Sequence, residues 1–167
     1  MDQLTEKKIN SRDQLQPLLG LAQASGEKVV FTNGCFDLVH KGHTRYLRAA
    51  RAQGDRLVVA VNDDASVSRL KGPSRPIVPL AERMEILAGF YFIDWVTWFA
   101  EDTPLETIKL LKPDRLIKGA DYALDQIVGR AEVESWGGAV KTIELVPDSS
   151  TSGVVERILS AYRDQHV

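Results

Sequence analysis

Residues 28–43 read Lys28-Val29-Val30-Phe31-Thr32-Asn33-Gly34-Cys35-Phe36-Asp37-Leu38-Val39-His40-Lys41-Gly42-His43. The opening run is short, β-branched and apolar, and it is followed by a glycine, which predicts a buried strand over residues 28–33. From His43 the spacing becomes helical, continues to Gln53 and stops at Gly54, a residue suited to the far end of a helix. A strand that passes through a glycine-bearing loop into a helix is the first half of a strand–helix–strand unit. The apolar run at 56–62 supplies the second strand.

The alternation continues in both directions. Further strands are predicted over 94–99, over 114–118 ending at Gly119, and over 139–146, where Val140, Thr142 and Glu144 alternate. Helices are predicted over 11–24, where Ser11-Arg12-Asp13-Gln14 fits a capping box, and over 80–88, between the Pro-rich loop 72–76 and Gly89. Another is predicted over 103–111, with Thr103 as N-cap and Pro104 at the first helical position. A final helix carries Val154, Val155, Ile158, Leu159 and Tyr162 on one face. Apolar strands separated by helices describe an α/β fold, a doubly wound parallel sheet covered on both faces. Such sheets bind ligands at the carboxyl ends of their strands, where the chain order reverses. The places to search are therefore Asn33-Gly34, Asn62-Asp63, Lys118-Gly119 and the loop after Val146.

At 167 residues, with 44% hydrophobic and 26% charged, the chain suits a single domain with a buried core. Residues 1–26 read as an N-terminal helical extension and 27–167 as the main domain, with no repeat, linker or low-complexity tract between them. Lys and Arg total 21 against 23 Asp and Glu, a net charge of −2, which argues against nucleic-acid binding by bulk electrostatics but leaves room for a local anion site. The single cysteine, Cys35, forbids an intrachain disulfide. No apolar run approaches the ~20 residues a membrane helix needs, and the polar N-terminus has no signal-peptide core. The expectation is a cytoplasmic protein with neither membrane nor nucleic acid as a partner.

The chemistry concentrates in two segments. In the first, His40 and His43 stand three apart at a helix start, which sends both imidazoles to one side. Free N–H groups and the positive end of the helix dipole favour an anion there, and Gly34 and Gly42 let it approach the backbone. Other readings are a zinc site from His40, His43 and Cys35, which lacks a fourth ligand, or a Cys–His nucleophile, for which nothing suggests an acyl substrate. Histidines without a role and Cys35 as a small packing residue are the bland readings. The second segment, Asp148-Ser149-Ser150-Thr151-Ser152-Gly153, offers more hydroxyls than one N-cap requires. A parallel sheet brings both helix starts to the same edge. Lys118 ends a strand at that edge, Lys71 and Arg75 lie in the Gly/Pro loop, and Asp63 or Asp64 can cap a short following helix.

These residues carry a resemblance. Thr32-Asn33-Gly34-Cys35-Phe36-Asp37 leading to His40-Lys41-Gly42-His43 resembles the signature of the cytidylyltransferase-like nucleotidyltransferases, a Rossmann-like superfamily with an HxGH motif. Ser150-Thr151-Ser152 resembles its second phosphate-binding motif. Residues 60–67, 70–76, 101–104 and 118–122 further resemble the heptose 1-phosphate adenylyltransferases, the nucleotidyltransferase half of bifunctional ADP-heptose enzymes. The likeness spans about residues 12–162. Ala120 departs from a usual second glycine, Asp148-Ser149 replaces a Gly-aromatic or Gly-Ile lead-in, and the Arg-Thr pair of the glycerol-phosphate relatives is absent.

The resemblance implies transfer of AMP from ATP to D-glycero-D-manno-heptose 1-phosphate for lipopolysaccharide core synthesis. It assigns His40, His43 and Lys118 to catalysis. Thr32, Asn33, Gly34, Cys35, Phe36, Gly42, Lys71, Gly119, Asp121, Ser150, Thr151 and Ser152 fall to the nucleotide; Asp63 and Arg75, with Asp121 as a third candidate, are assigned to the sugar phosphate on their position alone. No resident metal is implied; Mg²⁺ arrives with ATP. A separate heptose kinase would be the pathway partner, and a homodimer is left open. The alternatives are another superfamily enzyme, such as a glycerol-3-phosphate cytidylyltransferase, and a non-catalytic nucleotide-binding domain.

Overall fold

In strand β1 (Val29–Gly34), Val29 and Phe31 pack into one apolar cluster and Val30 into another, and all three are fully buried. Strand β2 (Arg56–Asn62) repeats this, with Val58 and Ala60 on the first side and Leu57, Val59 and Val61 on the second. Alternation with no polar side demands cover on both faces. The computed structural model describes residues 3–163 apart from Tyr122, Leu145 and Asp148. Its remaining strands are β3 (Trp95–Phe99), β4 (Arg115–Gly119) and β5 (Ala139–Ile143), and the five form one sheet in the order β3-β2-β1-β4-β5. All pairs are parallel.

The helices are α1 (Gln3–Glu6), α2 (Arg12–Ala24), α3 (Lys41–Arg51), α4 (Asp64–Lys71), α5 (Leu80–Ala88), α6 (Leu105–Leu111), α7 (Arg130–Ser135) and α8 (Thr151–Arg163). Leu47 and Ala50 of α3 and Leu87 of α5 cover one face of the sheet. Leu15 and Leu19 of α2, Ile108 and Leu111 of α6 and Val133 of α7 cover the other. The segment read as an N-terminal extension thus places α2 in the core. The Ser11 capping box is present, and residues 8–10 run along β3, with Asn10 N–H donating to the Val96 carbonyl and Val96 N–H to that of Lys8. That pairing covers an otherwise open sheet edge.

Several boundaries differ from the sequence reading, each for a local reason. Helix α3 starts at Lys41 rather than His43, because His40 takes the N-cap position and His43 closes a capping box. Helix α6 starts at Leu105: the Pro104 carbonyl accepts the first helical bond, from Ile108, so the Thr-Pro pair precedes the helix instead of opening it. Strand β1 runs on to Gly34 because Gly34 pairs with Val61. Strand β5 stops at Ile143, where its partner β4 also ends; of the predicted continuation, Leu145 lies outside the described residues. The final helix forms, but its apolar face is not buried: Ile158, Leu159 and Tyr162 are 48%, 58% and 58% exposed. Helix α7 and the 3-10 turn at Leu124–Gln126 had no clear signature.

The chain steps outward from β1 through β2 to β3, then returns across the sheet by α6 to β4 on the other side of β1. Between β1 and β4 the ladder holds only Val30↔Arg115 and Phe31↔Leu116, whereas β1 pairs with β2 over all six residues. Where the ladder stops, the buried Tyr46 hydroxyl bridges the strands: it donates to the Ile117 carbonyl at 3.1 Å and accepts from Thr32 Oγ1 at 2.8 Å. A crevice opens at this reversal point, as such sheets require.

Candidate active site

The loop from β1 to α3 turns sharply. Phe36 and Leu38 hold left-handed backbones, with φ of 48° and 52°, a conformation costly for side chains of this size and concentrated at functional sites. The loop delivers His40 and His43 as stacked rings, with centroids 3.9 Å apart and planes at 27°. Gly42 N–H donates to His40 Nδ1 at 3.1 Å, and His40 N–H to His43 Nδ1 at 3.4 Å. A ring nitrogen that accepts from an amide carries no proton, so each neutral imidazole keeps its N–H on Nε2. Burial, and then the neighbouring His40, push His43 down to about 4. Burial and the Arg157 charge lower His40 too. Both are therefore uncharged N–H donors at neutral pH.

The histidines line a cavity of about 600 Å³ at the carboxyl ends of the strands, a size suited to a nucleotide. Across it, Lys118 at the end of β4 donates through Nζ to Asn33 Oδ1 of β1 at 3.0 Å. Burial lowers its ammonium below the ordinary lysine value, against the opposing pull of Asp121 and Cys35. The start of α8 forms a third wall. Ser150 Oγ accepts from Gly153 N–H at 3.0 Å, and Thr151 Oγ1 donates to the Asp37 carbonyl at 2.8 Å, joining this helix to the histidine loop. A Cβ on Gly42 would stand 2.9 Å from both His40 Cε1 and Ser149 Cβ, so glycine alone permits this approach.

Of the residues singled out from sequence, His40, His43, Lys118, Asn33, Gly34, Cys35, Phe36, Gly42, Lys71, Arg75, Gly119, Asp121, Ser150, Thr151 and Ser152 line this one cavity. Thr32 and Asp63 do not. Thr32 faces Tyr46 inside the sheet, and Asp63 is the N-cap of α4, accepting from Ser66 N–H at 2.7 Å. Arg75 reaches the wall already paired with the buried Asp37 carboxylate. Burial holds the Cys35 thiol up, so it stays protonated, and among the described residues no three His, Cys, Asp or Glu side chains gather as a metal site. Asp148, expected at the second motif, lies outside the described residues.

Sequence reasoning missed Asp37, Tyr46 and Arg83. Asp37 accepts from the Ile77 and Val78 amides, and these with Arg75 outweigh burial and hold its carboxyl below the usual range. Tyr46 repeats the three-residue spacing of His40 and His43, a signal that was there to read. Arg83 is fully buried in α5, donating to the Cys35 and Val78 carbonyls and pairing with Asp64 at 2.7 Å. Its signal was a cation on the apolar face defined by Leu80 and Leu87.

A 3-2-1-4-5 parallel sheet with an HxGH turn, a lysine and a second helix start around the reversal crevice defines a Rossmann-like domain of the nucleotidyltransferase class. Residues 31–159 match the cytidylyltransferase-like family, and the chain belongs to it. It is 56% identical over 154 residues to the bifunctional protein HldE of Ectopseudomonas mendocina (strain ymp), covering 92% of this chain and 33% of that protein. The bifunctional protein HldE of Hahella chejuensis (strain KCTC 2396) is 56% identical over 146 residues, 87% of this chain and 31% of that one. The chain thus spans about a third of the length of these relatives. The crystal structure of the lipopolysaccharide core biosynthesis protein from Thermoplasma volcanium GSS1 superposes with a TM-score of 0.60 at 29% identity, covering 72% of this chain and 98% of that one. Pantoate-beta-alanine ligase from Francisella tularensis, at 12% identity and a TM-score of 0.59 over 93% of this chain and 77% of that one, shares the fold. Among the described residues no helix is long and apolar enough to cross a membrane.

Proposed function

We propose that this domain transfers AMP from ATP to D-glycero-D-manno-heptose 1-phosphate, giving ADP-heptose and pyrophosphate for lipopolysaccharide core synthesis. The observation that carries the reading is the stacked histidine pair, whose Nδ1 atoms are occupied so that both Nε2–H groups serve an anion. The heptose acceptor rests on the resemblance of residues 60–67, 70–76 and 101–104, and on relatives named HldE. Asp102, Thr103 and Pro104 of the last block lie in the cavity wall, on the side away from Lys118's own strand.

A sugar 1-phosphate has its second pKa near ~6, so its attacking oxygen is ionised at neutral pH and no general base is needed. That oxygen bonds to the α-phosphorus, the bond to the bridging α–β oxygen breaks, and pyrophosphate leaves with the electron pair. His40 and His43 donate to oxygens on which charge gathers. Being neutral, they favour the transition state through fixed dipoles and have no full charge to lock onto the ground state. Lys118 and Lys71 supply the full charges, the start of α8 holds the β/γ end, and Mg²⁺ enters as part of the MgATP substrate. Pyrophosphate release measured for ATP and CTP against heptose 1-phosphate and glycerol 3-phosphate tests the reading. Turnover is expected with ATP and the heptose phosphate. Preference for CTP and glycerol 3-phosphate, or no release with any pair, overturns it.

A further inference from the structure

Among the described residues, Asp37 and Arg83 are the charged ones that are buried, at 1% and 0% exposure. Asp37 is accounted for by the two amides and the Arg75 guanidinium that meet it. Arg83 is not accounted for by charge balance. Its carboxylate partner, Asp64, is half exposed, and its other two acceptors are neutral carbonyls. Taking a guanidinium out of water is costly, and an apolar side chain of similar volume in such a place often serves stability as well or better. Arg83 does not line the cavity, so substrate does not supply the missing compensation.

What the side chain provides is geometry. Each of its three nitrogens goes to a different segment. Nε donates to the Val78 carbonyl at 2.9 Å, ahead of α5, and Nη2 to Asp64 at 2.7 Å, at the start of α4. Nη1 donates to the Cys35 carbonyl, in the loop that carries the histidines. A planar fork holds three such directions at once, which a lysine ammonium on a flexible stem does not. The Cys35 contact falls on a critical peptide. Turning that carbonyl turns the peptide plane that leads into Phe36, whose φ of 48° persists only where its surroundings enforce it. Phe36 in turn sets its ring edge-on against His43, with centroids 5.4 Å apart and planes at 61°. The path from Arg83 to His43 thus runs through one carbonyl, one strained backbone and one ring contact.

We propose that Arg83 is a positioning residue for the transfer: anchored on Asp64 and the Val78 carbonyl, it holds the Cys35 carbonyl so that Phe36 keeps its left-handed backbone and its ring fixes the imidazole of His43. Arg83 acts through these groups and does not touch substrate. The effect on turnover rests on the nucleotidyl-transfer reading; the hold on His43 does not.

The test compares wild type with Arg83→Met and Arg83→Lys. Leu19→Ala, which loosens the core on the sheet face opposite Phe36, is the control for lost stability. Steady-state kinetics with MgATP and heptose 1-phosphate varied in turn, thermal melts and an NMR titration of the histidines are the readouts. Arg83→Met is expected to lose about 10²-fold in kcat, the cost of a catalytic group displaced by about 1 Å, with KM for MgATP within about twofold. Its His43 ring should titrate above the wild-type value of about 4, towards 6.5, as the ring loses its burial. Loss of the Arg83 charge does not imitate that change, because burial and His40 are what hold His43 down. Arg83→Lys, which keeps the charge without the fork, should shift His43 the same way and lose about tenfold in kcat. Leu19→Ala should lower Tm and leave kcat and the His43 titration as in wild type. Near-normal kcat in Arg83→Met or in Arg83→Lys overturns the proposal, as does a fall in kcat while His43 titrates as in wild type. An equal loss of kcat in Leu19→Ala also overturns it, by tying the loss to stability alone. If Arg83→Met does not fold, Arg83→Lys carries the test. Wild type without pyrophosphate release overturns the transferase reading, and the His43 titration in the two variants then decides the positioning role by itself.

Discussion

His43 occupies the third residue of a helix, where its Nδ1 accepts the His40 amide, and burial keeps its ring neutral. The unfolded chain takes up this proton at 6.5 and the native protein only at about 4, so between those values stability falls as pH falls. A histidine titration followed by NMR should show the His43 ring unprotonated until near 4, and urea unfolding should show the matching loss below 6.5. A titration near 6.5 would remove the neutral-donor role. Replacing His43 with alanine should lower kcat by about 10²-fold, the usual loss for one transition-state donor, with Tm nearly kept. At Gly42 the demand is steric. Gly42→Ala places a methyl 2.9 Å from both His40 Cε1 and Ser149 Cβ, and the displaced ring should cost about tenfold or more in kcat while the fold survives, as circular dichroism would show. The histidines were legible because their spacing and glycine form a local pattern. Asp63 misled for the same reason: an aspartate at a strand end reads alike whether it meets a ligand or caps the next helix, and only the Ser66 amide decides.

At the scale of elements, one carboxylate organises the loops. Asp37 receives the Ile77 amide at 3.0 Å and the Val78 amide at 2.9 Å and pairs with Arg75, while its carbonyl receives Thr151 Oγ1. It therefore ties the histidine loop to the 72–79 segment and to α8, and Arg83 makes a second tie through the Cys35 and Val78 carbonyls. Asp37→Ala leaves two amides and a guanidinium without their acceptor in a buried setting, and should destabilise by about 2–4 kcal/mol in urea unfolding. Because its folded pKa lies below the ordinary 3.8, this stability is present above that value and is lost as pH falls through the lower one. An Asp37→Ala protein of wild-type stability would show the segment held by other contacts. The ties from Asp37 span 40 and 41 residues to Ile77 and Val78 and 114 to Thr151, which no local spacing encodes. Most strands were readable as short, apolar, β-branched runs, two of them ending at a glycine, and α2 from a capping box complete within four residues. The end of β5 was not, because it is set by where β4 stops.

At the scale of the whole molecule, the reversal of chain order between β1 and β4 makes the cavity, and Lys118 tests whether that geometry governs function. The general rule for open parallel sheets pointed to this strand end before any side chain was placed. What the rule left out was how the crevice is held, by the Tyr46 bridge to Thr32 and Ile117 and by Lys118 itself reaching Asn33 across the gap. Burial lowers the Lys118 pKa, so keeping its charge in the folded protein opposes stability. A charge retained against that cost is expected to serve the ligand. Lys118→Met, similar in length and apolar, should therefore match or exceed wild type in Tm while losing most of its activity. Lys118→Arg should recover only part of that activity, because a longer, forked guanidinium does not reproduce a point charge beside Asn33. A full charge meets phosphate oxygens in the ground state as well as in the transition state, so KM for one substrate should rise as kcat falls, unlike the kcat-centred loss expected for His43. Thermal melts and kinetics with each substrate varied in turn measure both. Wild-type kinetics in Lys118→Met would mean that phosphate does not reach the end of β4, and the catalytic roles drawn around this crevice would have to be withdrawn.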